Sequence, residues 1–272
     1  MAEAKAAYEK GAFRYCMVFA GRGPSGKRLE KLTQLVSKIK EQYPQYEVCV
    51  SAGLINDEGA QKLKAAGLDQ LNHNLNTSRE HYPNICTTHT FDDRLNTLRA
   101  GRRAGIHLCS GVIAGMGETH QDIIDVALQL RELAVDSIPV NFLVPIAGNK
   151  LSDAQNLTPE YCLRILCLYR LLNPRSELRV AAGREGHLRS MEVMALYPAN
   201  SLFLQGYLNT KGSSNLKTLQ MIKDAGFTIK SDVNLDELLA REQGSGKRLA
   251  VDDAQVLLKG LKELRPQLSG RK

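Results

Sequence analysis

The chain has no tryptophan and only 6% aromatic residues. It therefore lacks the aromatic faces, interleaved with Lys and Arg, on which single-stranded nucleic acids stack. Its longest apolar runs, such as Ile138–Val144, fall far short of a membrane span. The opening residues "MAEAKAAYEKGAF" contain no apolar core of a secretory signal. These features lead us to expect a cytoplasmic protein with neither a nucleic-acid nor a membrane partner. Six cysteines without an export signal argue against a disulfide framework and leave thiols for metal, catalysis or packing. None is spaced as CxxC, so no local zinc motif is present. The formal charge of +7 owes much to the C-terminal segment "SGKRLAVDDAQVLLKGLKELRPQLSGRK", whose alternating signs read as a solvated helix.

At 272 residues and 43% hydrophobic, the chain can bury a substantial core. Short strand-like runs at 13–20, 46–53, 68–75, 106–113, 137–144, 177–183 and 200–206 alternate with longer stretches of helical spacing. In "RLEKLTQLVSKIKEQY", Leu29, Leu32, Leu35, Val36 and Ile39 form one stripe. "THQDIIDVALQLRELA" opens on Thr119, an N-cap residue type. Strand–helix units in strict order imply a parallel sheet, because parallel neighbours need helical crossovers. Doubly wound sheets and TIM-type (β/α) barrels share this rhythm. Polar or thiol residues recur in nearly every strand, as barrel sites require, and this favours the barrel. About seven βα units are present where a full barrel has eight, and the chain opens in a helix. The first strand is therefore expected to be missing. Residues 1–230 are expected to form this incomplete barrel, and 231–272 a short, basic helical tail jointed at "GSGKR".

Cys16, Cys49 and Cys109 sit on three different strand runs, and Arg179 on a fourth. Thiolates are soft ligands for iron–sulfur clusters or zinc. A buried thiol is equally a small packing residue, and the residues alone leave the two readings open. Cys86, Cys162 and Cys167 are expected to pack. An arginine within a buried strand needs acceptors or an anionic centre, such as a salt bridge. In "LNHNLNTS", Asn72 and Asn74 fall on one side of a strand and His73 on the other. Paired amides there suit the reading of a polar substrate, while Asn76, Thr77 and Ser78 have turn chemistry.

The series "RYCMVFAGRGP", "CVSAGL", "AGLDQLNHNLNTSREHYPNICTTHTFDDRLNTL", "AGIHLCSGVIAGMGET", "PVNFLVPIAGNKL" and "LRVAAGREGH" resembles the biotin synthase family of the radical S-adenosylmethionine (SAM) superfamily. The resemblance implies a radical SAM barrel that inserts sulfur into dethiobiotin by a SAM-derived radical, with a [2Fe–2S] cluster as sulfur donor. By the same resemblance Cys16, Cys49, Cys109 and Arg179 hold that cluster, and Asn74 and Asn141 contact dethiobiotin. Asn76, Ile113 and Val144 contact SAM; at Asn76 many relatives have an aspartate. A reductant such as flavodoxin or ferredoxin and a homodimeric state are also implied. The family's [4Fe–4S] cluster is bound through CxxxCxxC, and that motif does not occur in these residues. The expectation is of a family member lacking its N-terminal part, unable to cleave SAM as an isolated chain. The alternative is a catalytically inactive remnant, or an accessory or split subunit.

Overall fold

The computed structural model describes residues 1–9, 12–146, 148, 151, 154, 156–203, 213–230 and 233–244. Its strands are β1 (Arg14–Val18), β2 (Glu47–Ser51), β3 (Gln70–Asn72), β4 (His107–Cys109), β5 (Val112–Ala114), β6 (Ser137–Phe142), β7 (Glu177–Val180) and β8 (Ser201–Leu202). The helices are α1 (Ala2–Glu9), α2 (Lys27–Gln42), α3 (Asp57–Ala65), α4 (Tyr82–Ile85), α5 (Phe91–Arg103), α6 (His120–Glu132), α7 (Pro159–Leu172), α8 (Arg184–Leu188), α9 (Asn215–Asp224) and α10 (Leu235–Gly244). A 3-10 turn runs over Arg189–Leu196. Each of the seven strand-like runs holds a strand. The run 106–113 breaks into β4 and β5. Residues 204–206 of the last run, and 231–232 and 245–272 of the tail, lie outside the described residues.

The chain divides into two compact units that interleave in sequence. One comprises Met1–Ile113, Glu118–Pro139 and Leu168–Glu177; the other comprises Ala114–Gly117, Val140–Cys167 and the residues from Leu178 onward.

In the first unit β1, β2, β3 and β4 pair in parallel in that order. Cys16 lies opposite Cys49, Cys49 opposite Gln70, Gln70 opposite His107, and Asn72 opposite Cys109. Partners in register share a face, and side chains alternate along each strand. One face therefore carries Arg14, Cys16, Glu47, Cys49, Gln70, Asn72, His107 and Cys109. The other carries Met17, Val48, Val50 and Leu71, which join Leu32, Val36, Ile39 and Leu63 of α2 and α3 in one core. Each such side chain contributes about 1.5–3 kcal/mol by leaving water, so this second face anchors the helices and the first is left for polar groups. Helices α5 and α6 open on capping boxes, Thr90 with Asp93 and Thr119 with Asp122. The turn 21–26, GRGPSG, has the GxGxxG spacing of a dinucleotide loop. Its middle glycine instead lets the chain close on residue 54: Leu54 N–H donates to the Arg22 carbonyl at 2.6 Å, and a Cβ on Gly23 would overlap the Leu54 carbonyl.

In the second unit β7 pairs with β8, Arg179 opposite Ser201. Ala181 N–H donates to Val140 at 2.9 Å and Phe142 N–H to Ala182 at 2.8 Å. Gly183, at φ 79°, turns this strand into α8; a Cβ there would overlap the Phe142 carbonyl, so only glycine fits. Immediately after it Arg184, 2% exposed, is held by Glu192 and by Glu185 at 2.8 Å. Asn215 Nδ2 donates to Glu242 at 2.9 Å and Lys223 pairs with Asp236 at 2.7 Å, tying α9 to α10.

Candidate functional site

The thiols come first. Cys16 Sγ lies 3.2 Å from Cys49 Sγ, as their register dictates. Cys109 stands one pleat further along on the same face, two residues past His107. All six cysteines are thiols. The Cys49 thiol is pushed well up, first by its hydrogen bond with Cys16, then by burial and by the neighbouring Cys16 and Cys109, while Arg14 opposes them. The Cys49 thiol therefore favours its protonated form, and ligation of a metal there would release that proton. Below the thiols on the same face, Arg14 donates to Glu47 at 2.7 Å and pairs with Glu177 at 3.3 Å. Burial pulls the Arg14 guanidinium down, and the two carboxylates more than offset it. Among the described residues no three His, Cys, Asp or Glu side chains group so as to hold a metal ion. The thiols stand on a face turned away from the helices, and soft sulfur donors are the ligand type that iron–sulfur clusters take.

Asn74 follows β3 on the same unit. Its Oδ1 accepts from Gly111 N–H at 3.0 Å, and Arg94 donates to its carbonyl at 2.6 Å. The break between β4 and β5 creates this grip. Ser110 Oγ accepts from Leu75 N–H at 3.1 Å, and Gly111 lies so close to the Pro139 carbonyl that a Cβ would overlap it. A main-chain N–H can bond only the amide oxygen, so the Asn74 amide is oriented with Nδ2 as its remaining donor. Asn76 takes φ 71°, which asparagine tolerates, and brackets β5: its N–H donates to Gly111 at 3.0 Å and its carbonyl accepts from Ile113 at 2.8 Å. Ile113 is half-buried. His73 turns to the helix face and is buried with Nε2 unpaired; desolvation, then Arg94 and His89, lower it to about 3.

In the second unit Arg179 is half-buried. Its Nε donates to Ser201 Oγ at 3.0 Å and its guanidinium lies 5.5 Å from the Phe203 ring centre. Asn141 is buried, with Oδ1 accepting from Ala182 N–H at 3.2 Å. Its amide is thereby oriented as Asn74's is. Val144 is half-buried. Cys16 and Cys49 thus come together, with Cys109 further along the same face, and Asn74 with Asn76 and Ile113, while Arg179, Asn141 and Val144 belong to the other unit.

The packing expectation for the remaining cysteines holds for one of them. Cys162 is fully buried on α7 and pushed up to about 12 by burial. Cys167, five residues on, faces solvent. Cys86 is half-buried in a polar loop. Sequence reasoning also missed the Arg14–Glu47–Glu177 group. Its signal was present, since Arg14 and Glu47 each stand two residues before a cysteine.

Comparison with known proteins gives the class and then the family. Residues 1–130 match the Radical SAM superfamily, and residues 139–228 match the Biotin and Thiamin Synthesis associated domain. The FeFe-hydrogenase maturase HydG from Carboxydothermus hydrogenoformans has the same fold at TM-score 0.69 and 20% identity, covering 83% of this chain and 57% of that one. Methylornithine synthase (PylB) does so at TM-score 0.69 and 18% identity, covering 88% and 75%. The fold is an incomplete TIM-type (β/α) barrel of the radical SAM kind.

The chain is 57% identical to the biotin synthase of Acaryochloris marina over 86% of its own length and 67% of that protein's. It is 55% identical to that of Leptospira interrogans (83% and 64%) and 53% identical to that of Magnetococcus marinus (84% and 70%). It belongs to the biotin synthase family. It spans about two thirds of the length of these relatives.

Proposed function

We propose that this chain serves the insertion of sulfur into dethiobiotin to give biotin, by a SAM-derived radical. The observation that carries the reading is the thiol face: Cys16 and Cys49 with sulfurs 3.2 Å apart, and Cys109 on the same face, two strands from Cys49 and one pleat further along. Those three thiols and Arg179 would hold a [2Fe–2S] cluster. When bound, that cluster supplies the sulfur atom.

The chain's own residues bind and orient. Asn74 and Asn141 have their amide oxygens held by main-chain N–H groups, and Nδ2 of Asn74 is the donor offered to a ligand carbonyl. The cyclic urea of dethiobiotin offers such an acceptor. Asn76, Ile113 and Val144 would take SAM, the amide on a ribose hydroxyl and the two apolar side chains on the adenine. The apolar layer behind β1–β4 keeps the thiol face from shifting as ligands arrive. The site's other cluster, a [4Fe–4S] centre, has no CxxxCxxC ligands within these residues. A flavodoxin- or ferredoxin-type reductant, a homodimer and a cytoplasmic setting complete the reading. Among the described residues no helix is long and apolar enough to cross a membrane.

Anaerobic reconstitution with iron and sulfide tests it. The expected product carries about two irons per chain with thiolate-to-iron charge-transfer absorption, and Cys49→Ala and Cys109→Ala each abolish it. A chain that takes up no iron, or whose Cys49→Ala variant keeps the spectrum, would overturn the reading.

A further inference from the structure

Cys86 lies apart from the thiol face, in the loop between α4 and α5, and the reading above gives it no task. It is part of a built group. Its Sγ is 3.5 Å from the Thr88 hydroxyl and 3.5 Å from His89 Nδ1; Thr88 Oγ1 is 2.9 Å from the same Nδ1. Tyr82 OH contacts His89 Nε2 at 2.9 Å and receives a hydrogen bond from Arg94 Nε. Half-burial alone would push this thiol up. The Thr88 hydroxyl, the main-chain N–H groups of Thr88 and His89, and the Tyr82 hydroxyl outweigh it together and bring it down to about 7. Burial first, then Arg94, lowers His89, leaving a neutral imidazole able to take the thiol proton. Tyr82, pushed up to about 12 chiefly by burial, remains a donor. The sulfur thus belongs to a half-buried residue, is ringed by donors that favour its anion, and stands beside a base.

We propose that Cys86 is a modification site for low-molecular-weight disulfides, which it captures by thiol–disulfide exchange. Its proton passes to His89 or to water. The thiolate attacks one sulfur of the incoming disulfide, forming the Cys86–sulfur bond as the original sulfur–sulfur bond breaks, and the second half leaves as a thiolate. Oxidant and reductant balance within that exchange.

The ionisable groups facing the thiol are His89 of its own loop and Tyr82 of α4. Arg94 and Asp93 of α5, and Arg22 of the turn after β1, act on it through His89. The test uses the full chain with 5,5′-dithiobis(2-nitrobenzoate), quenched in acid at intervals between pH 6 and 8.5 and mapped by peptide mass. Exposed Cys167 on α7 is the internal reference. At pH 6.5 Cys86 is expected to react about fivefold faster than an ordinary exposed thiol. The larger thiolate fraction gives the gain, and the lower intrinsic nucleophilicity of a more acidic thiol offsets part of it. Thr88→Val should move its half-maximal rate upward by about half a pH unit or more, and His89→Gln should slow it. Equal rates at Cys86 and Cys167 at pH 6.5, or a pH profile unmoved by both substitutions, would overturn the proposal. Site-resolved labelling at Cys86 is independent of whether the chain binds iron or dethiobiotin, so it can fail or stand without the functional reading.

Discussion

His73→Leu should flatten the acid side of the stability curve. In the folded chain His73 is buried against the helices, 5% exposed, with Nε2 unpaired and its protonation lowered to about 3 against an ordinary 6.5. The folded state therefore stays neutral where the unfolded chain takes up a proton. Stability is fully present above pH 6.5 and drains away as pH falls from there toward 3. Integrated between pH 7.5 and 5.0, the loss from this one residue is about 2 kcal/mol. That figure depends mainly on the unfolded value, since at pH 5.0 the folded imidazole is still neutral. Leucine is near in volume and cannot titrate. Urea unfolding of both proteins at the two pH values isolates the effect, because carboxylates and the other histidines act alike in each. The wild type should lose about 2 kcal/mol more than His73→Leu on acidification. Equal losses would mean that the imidazole protonates in the folded state, and the burial argument would fall.

Other substitutions probe the remaining structure. Gly111→Ala drives a methyl group into the Pro139 carbonyl and loosens the grip on Asn74. It should cost about 1–3 kcal/mol or more, seen as a lowered midpoint in thermal unfolding. Glu192→Ala leaves the Arg184 guanidinium buried with one carboxylate fewer and should cost about 3–5 kcal/mol in urea; Glu192→Gln, which keeps an acceptor, should cost less. Asn74→Asp retains the oxygen that accepts from Gly111 and removes the Nδ2 donor. Calorimetric dethiobiotin affinity should then drop by about 10-fold or more at unchanged fold, and full affinity would refute the assigned amide orientation.

Much of the architecture was legible because two periods rarely compete. The stripe Leu29–Leu32–Val36–Ile39 could only be a helix face, and the short β-branched runs could only be strands. The break at residues 110–111 was not legible. Nothing in "LCSGVI" announces that Gly111 must admit the Pro139 carbonyl, a contact between residues far apart in sequence. Register was likewise hidden. That Cys16 faces Cys49 follows from parallel pairing that no single strand encodes. The GxGxxG spacing at 21–26 shows the converse weakness, since its middle glycine, Gly23, serves tight packing against the Leu54 main chain. In "CTTHT", the thiol group around Cys86 was in plain view as residue types. Its partners Tyr82 and Arg94 come from the flanking helices, and only the folded loop joins them.

The salt link from Arg14 to Glu177 has a bearing on biogenesis. Its partners are 163 positions apart. On a ribosome adding about 5–20 residues per second, the glutamate emerges roughly ten to thirty seconds after the arginine. Cys16, Cys49 and Cys109 are all synthesised within that interval, so the three thiols leave the ribosome before the ion pair beneath them can form. The link beneath the thiols therefore closes only after β7 has been made.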